Sequence, residues 1–207
     1  RRPLELAFQW RGRGVVGFDI AGAEDGFPPS KHREAFDFLA SRFFPTTVHA
    51  GEAAGLDSIR SALIDGRALR LGHGVRLAED LRVVSREGDE VQVQFGELAR
   101  WVRDREIPLE LSPSSNLQTG AIAQWGEEIE DHPFDLLYQL GFAVTVNVDN
   151  RLMSRTSLTR ELQVLAETFD YDLADLEAFQ LNAAAGAFLT VEEREELIEL
   201  IAEGFER

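Results

Sequence analysis

Three short apolar runs in this chain each lead into a polar residue that can do chemistry. Thr46-Thr47-Val48 leads into His49, Ala68-Leu69-Arg70-Leu71 into His73, and Ala143-Val144-Thr145-Val146-Asn147-Val148 into Asp149. Glu52 follows His49 after Ala50-Gly51. Two histidines, a glutamate and an aspartate at strand ends are the raw material of a zinc site with an acid/base partner. In an α/β barrel all the strand ends converge on one face, which would bring these residues together.

Each residue also has a plainer reading. A lone histidine at a strand end is commonly structural. Here Ala50-Gly51 allow a tight turn that brings Glu52 to the mouth occupied by His49, and Gly72 and Gly74 let something approach His73 closely. An acid such as Asp149 at the end of a buried strand costs stability unless paired or metal-bound, and its competing role is the N-cap of the next helix. Asp19 either orients a neighbouring ligand or makes a buried hydrogen bond. Gly22 either offers a backbone N–H to a ligand or turns the chain. Ser112-Pro113-Ser114-Ser115-Asn116 reads as packing and turn chemistry, since the sequence sets no histidine beside its serines. His32, on an outer helix, and His132, before Pro133 at a helix start, are not expected to bind metal.

The elements that must position these residues alternate between strand and helix. Strand-like runs cover Val15 to Ile20, Thr46 to Ala50, Ala68 to Leu71, Pro108 to Ser112 and Ala143 to Val148. They lack strict alternation, which suits parallel strands buried on both faces. Apolar stripes between them predict helices: Phe36, Leu39, Ala40 and Phe43, with Ser30 as a possible cap; Leu56, Ile59, Leu63 and Ile64; Leu98, Trp101 and Val102; and Phe134, Leu136, Leu137 and Leu140, ended by Gly141. Val83 to Val93, with Glu87-Gly88-Asp89 in its middle, reads as a hairpin. Ser157 to Phe169, Leu173 to Ala185 and Val191 to Phe205 read as helices, with Asp172 and Thr190 as N-caps and Glu193 completing a capping box. The whole, residues 1–207, reads as one α/β domain with a parallel sheet.

Composition narrows the function. The chain has 207 residues, 21 Lys+Arg against 37 Asp+Glu and a net charge of −16, a surface that repels phosphate backbones and argues against nucleic-acid binding. With no cysteine it forms no disulfide and no thiolate zinc site. No run approaches the roughly 18 apolar residues of a membrane span, so a cytoplasmic protein without membrane association is expected.

In order and spacing the chain resembles the adenosine deaminase family of mononuclear-zinc (β/α)8 amidohydrolases. The resemblance runs through Gly17-Phe18-Asp19-Ile20-Ala21-Gly22, Val48-His49-Ala50-Gly51-Glu52, Arg70-Leu71-Gly72-His73-Gly74, Glu110-Leu111-Ser112-Pro113-Ser114-Ser115-Asn116 and Val146-Asn147-Val148-Asp149-Asn150. Leu181-Asn182-Ala183-Ala184-Ala185 looks like the family's C-terminal helix, and Asp149-Asn150-Arg151-Leu152-Met153-Ser154 like its actinobacterial branch. The resemblance implies a zinc-dependent hydrolytic deamination of adenosine and deoxyadenosine to inosine and ammonia in purine salvage. It implies His49 and Asp149 as zinc ligands and Glu52 as the proton donor to N1 of the purine. It implies that His73 orients and deprotonates the zinc-bound water, that Gly22 contacts the base, and that Asn150 stands where many members use an aspartate on N7. Asp19 would orient a ligand from behind.

One departure is large. The family's first strand carries a His-x-His pair that supplies two more zinc ligands, and this chain, with four histidines, has none. By the resemblance it holds about strands four to eight and the C-terminal helices of a TIM-type barrel, and 207 residues fall short of the roughly 250 of a complete one. It opens Arg1-Arg2-Pro3 without a methionine, so an upstream segment is expected. Alternative readings are deamination of adenine or aminodeoxyfutalosine, or a non-catalytic barrel fragment that needs an oligomer, a partner or an N-terminal segment.

Overall fold

A computed structural model describes residues 2–88 and 90–206. Asp89, in the predicted hairpin turn, lies outside the described residues. Five parallel strands form one sheet in the order β1 (Phe18–Ile20), β2 (Thr46–Ala50), β3 (Arg70–His73), β6 (Leu109–Leu111) and β7 (Val144–Val146). Strand order follows chain order, as helical crossovers require of parallel neighbours. β1 and β7 are the sheet's two edges, as expected for five strands that do not close a barrel.

The helices α2 (Arg33–Ala40), α3 (Leu56–Ile64), α4 (Glu97–Asp104), α5 (Pro113–Thr119) and α6 (Phe134–Gln139) return the chain between these strands, and α1 (Arg2–Gln9) precedes them. The hairpin is β4 (Leu81–Glu87) with β5 (Glu90–Phe95), antiparallel and bulged between Val83 and Ser85, just before α4. After β7 come α7 (Arg151–Ser154), α8 (Leu158–Phe169), α9 (Leu173–Ala185) and α10 (Val191–Phe205). Asp172 and Thr190 cap α9 and α10 as predicted, Thr190 with the expected capping box to Glu193, and Asp172 forms a further, unpredicted one with Asp175. Among the described residues no helix is long and apolar enough to cross a membrane.

The core lies between the sheet and its helices. Val48, Ala50, Leu71, Leu109, Leu111 and Val144 meet Leu39, Ile59, Ala62, Val102 and Leu137 there, all buried. Contrary to the expectation of strands buried on both faces, the sheet has a polar face. In β2, Thr47 and His49 alternate with the buried Thr46, Val48 and Ala50, and in β6 Glu110 sits between buried leucines. Asp19, Thr47, Arg70 and Glu110 share this face, with Thr47 donating to Glu110 at 2.8 Å and Arg70 Nε lying 3.0 Å from the same carboxylate. Side chains that alternate along a strand leave one face free for chemistry once the other is packed.

Several predicted details differ. Strand β3 is displaced toward its C-terminus, so His73 belongs to it rather than following it. Ser30 caps nothing; it lies in a 3-10 turn, Pro29–His32, and α2 starts at Arg33. Phe43 is 87% exposed because the chain leaves α2 with a left-handed φ of 52° there, and Phe44 packs in its place. Ile64 and Trp101 also face outward; Trp101 stacks under the Arg105 guanidinium instead. The apolar period marked the right helices, but at their ends the stripe drifts off the buried side.

His132 is a core histidine, 2% exposed, and takes its hydrogen bonds from Phe134 N (3.0 Å, at Nδ1) and to Asn116 Oδ1 (3.2 Å, at Nε2). Burial pushes its pKa from 6.5 down to about 3. The unfolded chain therefore binds this proton more readily than the folded one. The stability that depends on a neutral His132 is complete above 6.5 and is lost as pH falls toward 3. Across that window wild-type unfolding free energy should fall by up to ~1.4 kcal/mol per pH unit more than that of His132→Gln. Urea denaturation of both proteins at pH 6.5, 5.5 and 4.5 checks this; parallel pH dependences would refute it.

Candidate active site

The C-terminal ends of β1, β2, β3 and β7 and the start of α5 meet at one place. His49 and His73 stand with ring centroids 5.3 Å apart. One ligand-capable atom from each of His49, His73 and Asp149 lies within 4.8 Å of the others, a grouping that could hold a metal ion. Glu52 Oε2 is 3.6 Å from His73 Nε2, and Thr119 donates to Glu52 Oε1 at 3.0 Å. Asp19 on β1 lies 2.9 Å from His49 Nδ1. Five of the residues singled out from sequence are thus brought together: His49, Glu52, His73, Asp149 and Asp19.

Local backbone explains how. In the β2–β3 register His49 faces Gly72, and a Cβ at Gly72 would come 2.9 Å from His49 Nδ1. What approaches closely at Gly72 is therefore the His49 ring. After His49, Gly51 turns at φ 75°, a conformation costly for any residue with a side chain. His73 and Asp149 themselves have φ of 63° and 47°. Non-glycine residues seldom adopt such angles, and where they do the strain commonly marks a functional site. At His73 the left-handed turn breaks the strand's alternation, which would otherwise direct the side chain with Leu71 to the helix-packed face.

The loop bearing Glu52 is held by a residue the sequence reading missed. The Glu24 carboxylate accepts hydrogen bonds from the backbone N–H groups of Gly51 (2.6 Å), Glu52 (3.1 Å), Ala53 (2.7 Å) and Ala54 (3.1 Å). Ser58 Oγ adds a fifth at 2.5 Å. Successive N–H groups form an anion-binding concavity, and here the anion is a side chain. The small residues of Ala50-Gly51-Glu52-Ala53-Ala54-Gly55 were the available signal, because only a bare turn exposes so many amides.

Three further residues were missed. Ser115 Oγ donates to Asp149 Oδ2 at 2.6 Å. Asn116, fully buried, bridges His73 Nδ1 (2.9 Å) and His132. Glu161, 1% exposed, accepts from Ser114 N at 3.0 Å and from the Thr156 hydroxyl, which anchors the helix that carries Ser115 and Asn116. The serine-rich segment is thus supporting chemistry for Asp149 and His73, in keeping with its reading as no nucleophile.

Asn150, not Asp149, is the N-cap of α7: its Oδ1 accepts from Met153 N at 3.2 Å. That bond fixes the amide, so its Nδ2 is the group left to present outward. Gly22, at φ 121°, lines a pocket of about 240 Å³ together with Phe27, Pro29, His32 and His49. His32 thus shares a pocket with His49, one whose lining does not include Asp149, Glu52 or His73.

Electrostatics separate the two histidines. The hydrogen bond that His49 donates to the Asp19 carboxylate raises the His49 pKa, against the effect of burial. Burial lowers the His73 pKa, against the pull of Glu52. His49 donates Nδ1–H to a carboxylate and keeps Nε2 as a lone pair, the arrangement typical of a metal-ligating histidine. A carboxylate oxygen of Asp149 within 4.8 Å of a His49 ring nitrogen completes a donor pair of the kind that suits zinc.

The family model described as adenosine deaminase matches residues 2–204. An adenosine deaminase of Mycobacterium avium is 51% identical over 199 residues, which are 96% of this chain and 53% of that protein. One of Mycobacterium marinum matches to the same extent. The chain spans about half the length of the curated relatives it matches. Among solved structures, adenine deaminase from Arthrobacter aurescens aligns with a TM-score of 0.81 at 21% identity, over 100% of this chain and 58% of that one. A cog1816 amidohydrolase from Burkholderia ambifaria with bound Zn aligns with a TM-score of 0.80 at 19% identity, over 98% and 52%. At such identities the likeness is one of fold: the five strands are arranged as in part of a TIM-type barrel. Sequence match, strand order and the residues gathered at the strand ends together show that this chain belongs to the adenosine deaminase family.

Proposed function

We propose that this chain supplies the C-terminal part of the active site of a cytosolic, zinc-dependent deaminase acting on adenosine and deoxyadenosine in purine salvage. The observation that carries the reading is the meeting of His49, His73 and Asp149 beside Glu52 at the strand ends. The 51% identity to proteins named adenosine deaminase favours adenosine over free adenine or aminodeoxyfutalosine.

His49 Nε2 and a carboxylate oxygen of Asp149 would hold the zinc. The ion, when bound, supplies a water made acidic enough to act as nucleophile at neutral pH. The chain's own residues do the rest. Asp19 fixes the His49 ring through Nδ1. Ser115 fixes Asp149. His73 orients the attacking oxygen. Glu52, placed by the Glu24-bound loop, gives a proton to N1 of the purine, which makes C6 open to addition. Ammonia then leaves from C6, and water plus adenosine becomes inosine plus ammonia. The outward amide N–H of Asn150 donates to N7, and the Gly22 backbone approaches the base; an aspartate at position 150 would need a proton to donate in the same way.

Adenosine conversion to inosine, followed by ultraviolet absorbance in zinc-loaded protein, tests the proposal directly. In protein that turns adenosine over, Glu52→Gln should lower the rate ~10²–10⁴-fold while zinc remains bound, because Glu52 acts on a proton and not on the metal. Near-normal turnover of that variant would remove Glu52 from the chemistry. Asn150→Asp should keep its cap on α7 and its zinc, and raise KM for adenosine. Zinc loss with an unchanged KM would contradict the role given to Asn150. The 207-residue chain by itself should not deaminate adenosine. His49 and Asp19 are about one-third exposed at the open face of the sheet, so water screens the charges on which the reaction depends. Two protein ligands also fall short of the three usual in a catalytic zinc site. Turnover above roughly 1 s⁻¹ by this chain with stoichiometric zinc would overturn the expectation.

A further inference from the structure

Behind His73 runs a chain of hydrogen bonds whose direction is set at one end by the backbone. Phe134 N donates to His132 Nδ1 at 3.0 Å. A backbone N–H can only donate, so His132 Nδ1 must accept and carries no proton. The ring's single proton then sits on Nε2, which faces Asn116 Oδ1 at 3.2 Å. With Oδ1 accepting there, Asn116 Nδ2 points to His73 Nδ1, 2.9 Å away, and donates to it. Turning the Asn116 amide over would set Nδ2–H against the Nε2–H of His132, two donors facing each other in a fully buried place. His73 Nδ1 is therefore an acceptor, and the proton of a neutral His73 lies on Nε2, the nitrogen that faces Glu52.

We propose that His132 and Asn116 are positioning residues that lock His73 as its Nε2–H form, so that His73 donates a hydrogen bond into the site rather than accepting a proton from it. This replaces the base role expected for His73 with that of a donor to the attacking oxygen. It also explains why His73, although close enough to be a metal ligand, leaves that task to His49. With Nδ1 occupied as an acceptor, Nε2 could bind a metal only as the fully deprotonated ring. His49 has the reverse pattern, Nδ1–H donated to Asp19 and Nε2 free. Two histidines 5.3 Å apart are thus set in opposite tautomers by their partners, one for a metal and one for an oxygen. The role in catalysis rests on the deaminase reading; the tautomer itself does not.

The test is nitrogen NMR of the ring in full-length protein labelled with ¹⁵N-histidine, where two-bond proton–nitrogen correlations distinguish the tautomers. His73→Gln and His132→Gln assign the signals. His73 and His132 are both expected as Nε2–H in the wild type. Asn116→Asp puts a carboxylate between two rings, which can accept from both, so His73 should switch to Nδ1–H while His132 stays unchanged. His132→Phe frees the Asn116 amide to turn, so His73 should populate both tautomers. In protein active on adenosine, Asn116→Asp should lower kcat roughly 10-fold or more with little change in KM, as loss of an orienting partner does. His73 found as Nδ1–H in the wild type overturns the proposal whether or not the Asn116→Asp and His132→Phe variants fold. A wild-type Nε2–H signal unmoved by either substitution overturns the relay. Protein with the expected tautomers that leaves adenosine intact would instead refute the deaminase reading and leave the relay standing.

Discussion

The parallel ladder between β2 and β3 governs the site. Pairing Thr47 with Arg70, Val48 with Leu71, His49 with Gly72 and Ala50 with His73 sets the two histidines one residue apart along neighbouring strands and gives the His49 ring the only kind of neighbour it can tolerate there, a residue without a side chain. A slip of one residue would put Leu71 or His73 where Gly72 stands and turn the apolar side chains of one strand to the wrong face. The register is held in turn by Val48, Ala50 and Leu71, all fully buried against the helices. Core packing and ligand placement are therefore one constraint: the residues that make the sheet stable are interleaved with the residues that make the site.

Around that ladder the structure hides polar groups and satisfies them. Glu24 and Glu161 illustrate the physics. A carboxylate drawn out of water, half-buried at Glu24 and buried at Glu161, is expensive unless it accepts hydrogen bonds from fixed donors. Glu24 takes four backbone amides and a hydroxyl, and Glu161 takes an amide and a hydroxyl. Each carboxylate spends its capacity on a loop or helix end that bears a site residue: Glu24 on the turn of Glu52, Glu161 on the helix of Ser115 and Asn116. Removing either would leave unpaired N–H groups as well as a displaced site residue, so the two act through geometry and touch no reacting atom.

The strand ends were legible in the sequence because burial writes itself in residue types: apolar runs stop where the chain meets a polar mouth, and His49, His73 and Asp149 stood at those stops. Helix caps at Asp172 and Thr190 were legible for a similar reason, since capping is local chemistry within four residues. The polar face of the sheet was not, because Thr47, Arg70 and Glu110 are too few per strand to show a period of two in runs of three to five residues. Glu24 was silent because its partners lie 27 to 34 residues away. His132 looked like a helix-start histidine, and so it is by position; its contact with Asn116 spans 16 residues and depends on how α5 and α6 pack. Left-handed backbone at His73 and Asp149 was also invisible, since His and Asp, though enriched in that conformation, adopt it at too few positions for one residue to announce it.

The opposed tautomers bear on how such a site separates affinity from turnover. On the proposed reading, metal affinity would depend on the basicity of His49, which the Asp19 carboxylate increases. Handling of the attacking oxygen would depend on the proton at His73 Nε2, which a neutral amide faces from behind at Nδ1. A carboxylate behind His73 would strengthen its pull on a metal and let it compete with His49 for the same ion. An amide behind His49 would weaken its grip on the metal. The choice of an acid behind one ring and an amide behind the other keeps two chemically identical side chains, edge to face and 5.3 Å apart, from exchanging tasks. The supports come from different elements, β1 for His49 and α5 with the turn before α6 for His73, so a change in one can alter metal binding while the other continues to hold its proton in place.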